Sequence, residues 1–301
     1  MIQNILIFRI KPSRLKALVL AQEEIKSFLS DIKDANVVVG GPLSTEKGVI
    51  AAYLSESVKL DDIISECHRL GYVSQVDVMN QEQRESKNTI KWHGAFYSLE
   101  TVYEEDGEEV RNQAPDKRKF LLPDSNGQLR YVIGYRGDGT ETGKRALPVE
   151  DCKCMLNLAK IKQGQRVLDC FAGGGGIVFA AVNANLDVYS SDIDSKLQYG
   201  LRDFGSQHYV ANVNQLPFDK DFFDAVVTEA PFDKNATKDV VSGLVEMQRV
   251  LKLGGYIVLM IADYQAASVR QKANDLNLVI DIDQNLDRKG TSVHIFRLKK
   301  G

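Results

Sequence analysis

The run Val167-Leu168-Asp169-Cys170-Phe171-Ala172-Gly173-Gly174-Gly175-Gly176-Ile177 carries the clearest chemistry in the sequence. An acidic residue closes a strand-like stretch, and four consecutive glycines lead into a helical stretch over 177–183. Glycines let a backbone approach a ligand closely and leave N–H groups exposed at a positive helix end. The spacing is not GxGxxG, and no lysine follows as in a phosphate-gripping loop. The acid at the strand end therefore favours a ligand bearing an ammonium group over a pyrophosphate. About 20 residues further on, Ser191-Asp192-Ile193-Asp194 ends the next strand-like stretch, where a carboxylate suits two ribose hydroxyls. Asp192 is expected to fill that role, with Asp194 as a helix cap.

Bulk composition narrows the partners. The chain has 301 residues, enough for two domains, and is 44% hydrophobic and 26% charged. Its formal charge of −3 supplies no global attraction to nucleic acid, so such binding needs a local basic patch. The densest one comprises Lys117, Arg118, Lys119, Lys144 and Arg145, although Glu104, Glu105, Glu108 and Glu109 lie close by in sequence. No apolar run is long enough for a membrane-spanning helix, and the first residues open no secretory signal. Cys67, Cys152, Cys154 and Cys170 lack zinc-site spacing, and the four histidines are far apart. Free thiols in a reducing cytoplasm, and no metal, are expected.

The elements that must position these residues can be read from periodicity. Residues 1–80 run strand, helix, strand, strand, helix, strand, the order of a ferredoxin-like unit. Ser13 is expected to cap the first helix, through Phe28, and Gly71 to close the second, over 60–70. Residues 81–147 are rich in turn signals between short strand candidates, such as 95–102 and 129–134, and read as a β-rich connector. From 148 to 301, short apolar strands alternate with helices, which implies βαβ units and a mainly parallel sheet. Stretches 279–283 and 291–298 read as a closing hairpin about an Arg288-Lys289-Gly290 turn.

In this order, DCFAGGGG, SDID, a loop ending in LPF, FDAVVTEAPF and RVLKLGGYIVLM resemble the class I S-adenosylmethionine-dependent methyltransferases. Within that class the chain resembles the tRNA guanine 2-amino methyltransferases, whose corresponding motifs read DPFCGSGG and DPPY. The resemblance covers 145–298 and extends more weakly to the N-terminal unit. It implies an α/β fold: a Rossmann-like class I methyltransferase domain preceded by a ferredoxin-like α+β domain. It also implies that Asp169, Phe171, Ala172, Gly173 and Gly175 surround the methionine part of S-adenosyl-L-methionine. Asp192 and Ile193 would meet its ribose and adenine, with Asn212 and Val213 at the adenine amino group. Asn212 stands where the family usually has Asp, and its side-chain oxygen can still accept that N–H.

The same resemblance makes Glu229-Ala230-Pro231-Phe232 a retuned (D/N)PPY motif. In that motif a side-chain acceptor and the next backbone carbonyl take the hydrogens of an exocyclic amine, while the aromatic ring stacks on the base. Glu229 keeps the carboxylate, Ala230 the carbonyl, Pro231 the restraint and Phe232 the ring. Glu reaches about 1.3–1.5 Å further than Asp, by ordinary covalent dimensions. Asp233, next along, is expected to cap a helix starting near Ala236. The function implied is methylation of an exocyclic amine of a nucleic-acid base, foremost guanine in tRNA or other structured RNA, reached by splaying the base out. Two alternatives stand beside it: a small-molecule or protein methyltransferase, and a cofactor-binding but inactive RNA-binding subunit.

Overall fold

The computed structural model describes residues 3–33, 35–40, 47–55, 57–79, 96–98, 102–105, 108–111, 119–133, 147–288 and 290–301. The chain divides into two units, 1–113 and 114–301.

In the first unit, β1 (Gln3–Ile10) contributes Ile5, Leu6, Ile7 and Phe8, all buried, and so runs through the middle of its sheet. After it come α1 (Leu18–Phe28), β2 (Asn36–Val39), β3 (Val49–Ser55), α2 (Leu60–Glu66), β4 (Val73–Met79) and β5 (Phe96–Ser98). The strands form an antiparallel sheet in the order β2-β3-β1-β4-β5. A separate hairpin follows, β6 (Val102–Glu105) and β7 (Glu108–Arg111).

Two local expectations fail here for identifiable reasons. Pro12 opens a 3-10 turn over Pro12–Ala17 ahead of α1, with Lys11 at its cap and no side-chain cap bond, so Ser13 does not cap the helix. Gly71 does not take a left-handed conformation. The helical turn ends at extended Leu70, and the Gly71 and Tyr72 N–H groups donate to the carboxylate of Glu24 at 2.6 and 3.0 Å. Glu24 is fully buried on α1, so one side chain joins that helix to the start of β4.

The second unit begins with a hairpin, β8 (Lys119–Pro123) and β9 (Leu129–Ile133). Then come α3 (Val149–Leu158), β10 (Arg166–Asp169), α4 (Gly176–Asn183), β11 (Asp187–Asp192), α5 (Gln198–Asp203) and β12 (Gln207–Val210). The chain continues through β13 (Phe223–Glu229), α6 (Thr237–Val250), β14 (Leu251–Ala262), α7 (Ala266–Asp275), β15 (Val279–Arg288) and β16 (Thr291–Lys299). Seven strands align as β12-β11-β10-β13-β14-β16-β15. They are parallel except for β16, which lies antiparallel to both β14 and β15. This is a Rossmann-like sheet whose strand order reverses beside β10, so the carboxyl ends of β10, β11 and β13 border one crevice. The hairpin of β8 and β9 docks on α5 through Phe120, which lies edge-on to Phe204 at 5.4 Å between ring centroids. A Cβ at Gly200 would come within 2.4 Å of the Phe120 ring, so only glycine admits this packing.

Glu24 gives the first prediction. Glu24→Ala leaves two buried N–H donors unpaired, at about 1–3 kcal/mol each. Urea unfolding should therefore show a loss of about 2–6 kcal/mol, whereas Glu24→Gln, which keeps one acceptor oxygen, should lose less.

Candidate functional site

The parallel strands set the site by where they stop. β10 ends at Asp169, β11 at Asp192 and β13 at Glu229, so three carboxylates sit on the carboxyl edge of one sheet. Beyond β10, Gly173 and Gly175 adopt φ of +47° and +72°, the left-handed region open to glycine. A Cβ at Gly173 would meet nothing closer than the Phe171 carbonyl at 3.8 Å, so the loop there faces open space. Gly175 is the N-cap of α4, and the run expected to begin at Ile177 begins at Gly176.

Asp192 shapes this loop directly. Its Oδ2 accepts the Gly173 N–H at 2.8 Å and its Oδ1 accepts the Asp194 N–H at 3.0 Å. Asp194 in turn accepts the Lys196 N–H and caps a 3-10 turn, as its position in sequence suggests. Ile193 projects outward, 72% exposed, beside Asp192. Asn212, in the loop after β12, turns its Oδ1 to the Asn214 N–H at 2.9 Å, and Val213 is buried beneath it.

Asp169 is buried, and burial pushes its carboxyl up to about 7 against the opposing hydrogen bonds from Thr228 and the Phe171 N–H. The Thr228 hydroxyl donates to Asp169 Oδ1 at 2.7 Å and accepts the Phe171 N–H at 3.0 Å. Phe171 and Ala172 follow directly, Ala172 buried with its N–H on the Ser191 carbonyl at 3.1 Å.

One residue past Thr228 begins the Glu-Ala-Pro-Phe segment. The Ala230 N–H donates to Met260 O at 2.9 Å, the last bond of β13 to β14. The next amide of β14, Ala262 N–H, goes instead to the side chain of Gln265, Oε1, at 3.0 Å. Among the described residues no donor reaches the Ala230 carbonyl. The other Gln265 atom, Nε2, donates to Pro231 O at 3.2 Å, and the Tyr264 hydroxyl donates to Phe232 O at 2.6 Å. Gln265, fully buried, and Tyr264, at the surface, thus hold the two following carbonyls of the segment. Asp233 accepts the Asn235 N–H and caps the 3-10 turn that leads into α6.

Glu229 is partly buried, with 23% of its side chain exposed. Burial pushes its carboxyl above the ordinary glutamate range, and the Arg288 guanidinium pulls it back down. Arg288 Nη1 lies 2.7 Å from Glu229 Oε1, and its Nε lies 3.4 Å from buried Asp151 Oδ2 on α3. Arg288 escapes sequence reading because it flanks Lys289-Gly290 and looks like a solvated turn. Its strand runs on to Arg288 itself, past the expected end at 283, and returns it to the sheet edge. Of the basic patch, Lys119 opens β8 and is partly buried; Lys117, Arg118, Lys144 and Arg145 lie outside the described residues. No group of His, Cys, Asp and Glu among the described residues is arranged to hold a metal, and no described helix is long and apolar enough to cross a membrane.

Residues 168–259 match the methyltransferase domain family, and with the strand order they make this unit a class I S-adenosylmethionine-dependent methyltransferase domain. The glycine loop fits that cofactor: left-handed Gly173 facing open space, a strand-end acid at Asp169 and a carboxylate at Asp192. Among curated relatives, the tRNA (guanine(10)-N2)-dimethyltransferase of Methanothermobacter thermautotrophicus is 35% identical over 99 residues, 33% of this chain and 23% of the relative. The ubiquinone/menaquinone biosynthesis C-methyltransferase UbiE of Proteus mirabilis is 38% identical over 117 residues, 35% of this chain and 45% of its own length. The chain therefore spans less than half the length of either relative. Over 99% of this chain and all of its own, the TrmN structure from Thermus thermophilus superposes with a TM-score of 0.52 at 14% identity, a likeness of fold.

Asp169 makes the site's electrostatics measurable. An unfolded aspartate titrates near 4, and folded Asp169 near 7. Between those values the folded chain keeps a proton that the unfolded chain has released, so stability falls as pH rises from about 4 to about 7. Asp169→Asn should show a shallower fall over that window, read as thermal unfolding against pH.

Proposed function

We propose that the protein methylates the exocyclic amine of a guanine in structured RNA. The observation that carries this reading is the pair of acceptors at the end of β13: the Glu229 carboxylate and the Ala230 carbonyl, which has no donor among the described residues because Gln265 takes the Ala262 N–H. A guanine amine is conjugated into its ring, and two acceptors on its hydrogens favour the charge that develops when the nitrogen attacks. S-adenosylmethionine supplies the electrophilic methyl group. On this reading Phe232 stacks on the base and Pro231 stiffens the segment, while Asp169, Phe171, Ala172, Gly173 and Gly175 line the methionine side of the cofactor. Asp192 and Ile193 meet its ribose and adenine, and Asn212 and Val213 close the adenine end. Asn212 Oδ1 has already taken one N–H, and its second lone pair remains for the adenine amine.

The same reading makes residues 1–80 a ferredoxin-like domain, 81–147 a β-rich connector and 148–301 the catalytic domain. The order β2-β3-β1-β4 supports the first of these. The relative that acts on tRNA guanine N2 supports RNA as partner. A cytoplasmic enzyme is the setting this implies. The quinone-pathway relative UbiE supports a second reading, methylation of a small molecule.

Labelled S-adenosylmethionine incubated with RNA, and separately with small-molecule extract, from cells lacking the protein distinguishes the two. N2-methylated guanosine in the digested RNA is the expected product; label in the extract alone overturns the proposal. With that RNA, Glu229→Ala should lose about 10²–10³-fold in turnover, while Glu229→Gln, which still offers an acceptor oxygen, keeps part of the activity. Phe232→Ala should weaken RNA binding by about 1–3 kcal/mol through lost stacking. Reversing the charge of Lys117, Arg118, Lys119, Lys144 and Arg145 should weaken binding and flatten its dependence on salt, read as the slope of log affinity against log salt.

A further inference from the structure

Arg288 lies outside every role given above, yet it is bonded to the proposed catalytic carboxylate. Its guanidinium is used unevenly. Nε faces Asp151, Nη1 donates to Glu229 Oε1 and lies 3.4 Å from Met260 Sδ, and Nη2 makes no hydrogen bond among the described residues. The Glu229 Oε2 atom likewise has no partner among them. Among the described residues, one carboxylate oxygen and one guanidinium nitrogen are thus left without partners at the carboxyl end of β13, on two side chains bonded to each other at 2.7 Å.

We propose that Glu229 and Arg288 act as one unit that selects guanine over other purines bearing a 2-amino group. The proposal rests on the reading of guanine methylation above. Guanine presents, along one edge, two donors at N2 and N1 and an acceptor at O6. Glu229 Oε2 can accept from this donor edge while a guanidinium N–H of Arg288 donates to O6. A 2-aminopurine keeps the 2-amino group but has no O6 and carries an acceptor at N1, which faces the carboxylate lone pairs. Arg288 also orients the carboxylate: Nη1 holds Glu229 Oε1 at 2.7 Å, while Nε stands 3.4 Å from buried Asp151 Oδ2 as an ion pair without a hydrogen bond. Asp151 anchors the far side of the fork from α3, so the unit is held from β13, β15 and α3 together.

The test uses the RNA methylated by the wild type, with the modified position mapped by nucleoside mass spectrometry. Synthetic RNAs then carry guanine or 2-aminopurine at that position. The wild type should favour guanine by roughly 10–100-fold in kcat/KM, within the range spanned by the loss of a well-placed base contact. Arg288→Met should be slower on guanine and narrow that preference at least fivefold, because the O6 donor is gone. A purely structural role would slow both substrates equally and leave the ratio unmoved, and that result overturns the proposal. So does a wild type that methylates both RNAs alike. S-adenosylhomocysteine binding by calorimetry reports whether Arg288→Met is folded; Arg288→Lys, which keeps the charge without the planar fork, should give an intermediate ratio and decides if the first variant fails to fold. Absence of methylated guanine in wild-type RNA would remove the underlying reading as well, a result separate from an unmoved ratio.

Discussion

The hydroxyl of Thr228 is the joint on which the site depends. It donates to buried Asp169 on β10 and accepts the Phe171 N–H just beyond that strand, while its own strand continues directly into Glu229. A single side chain thus binds the acid that precedes the glycine loop to the segment that presents Glu229 and Ala230. The joint is effective because it is dry. Asp169 and Thr228 are both buried, where hydrogen bonds are electrostatically stronger than in water and an unpaired carboxylate would be costly. These two hydrogen bonds extend past the end of the β10–β13 pairing and tie Asp169 and Phe171 to the strand that leads into Glu229.

A second constraint acts at the other side of β13. In a parallel sheet the Ala262 amide would continue the pairing to the Ala230 carbonyl; Gln265 intercepts it and stops the sheet one step early. The residue after Glu229 thereby keeps a carbonyl at the sheet edge, while the next two carbonyls are bound by Gln265 and Tyr264. The hairpin that carries Arg288 is tied to the same region. Asn285 donates to Asp263 at 2.6 Å, and His294 bridges Asp263 and Asp283 through its two ring nitrogens. The end of β14, the Glu-Ala-Pro-Phe segment and β15 thus form one braced surface.

Much of this was legible in the sequence where the signal is local. Four glycines after a strand-end acid, an acid at the end of the next strand and a hairpin at the C-terminus each need only a few neighbouring residues to be recognised. Asp194 and Asp233 cap the turns their positions suggest, because an Asx side chain satisfies the amide two residues on regardless of the rest of the fold. Ser13 fails as a cap for a local reason, the Pro12 turn ahead of it, but the other failures are long-range. Gly71 reads as a helix cap, but Glu24, 47 residues earlier, takes its amide. Arg288 reads as a turn residue, but it pairs with Glu229 across 59 residues of sequence. Gln265 carries no motif at all; its role exists only because β13 and β14 are neighbours. A pairing between distant positions leaves no mark on either segment alone, and only the strand order brings the two together.

That same limit bears on how the Glu-Ala-Pro-Phe segment is judged. Set against DPPY as a string of letters, it has lost one residue of restraint and gained a methylene, which reads as a retuned motif. In the fold the longer side chain meets a cation, Arg288 Nη1, at 2.7 Å. Arg288 holds one oxygen of Glu229, opposes the effect of burial on its ionisation, and is itself backed by Asp151 from a helix that precedes the whole sheet. Buried ion pairs of this kind contribute little to stability on balance, because desolvation offsets attraction. What they supply is a fixed orientation. At the end of β13 the pair holds Glu229 from β15, with Asp151 of α3 behind the guanidinium, so three elements meet at this one carboxylate.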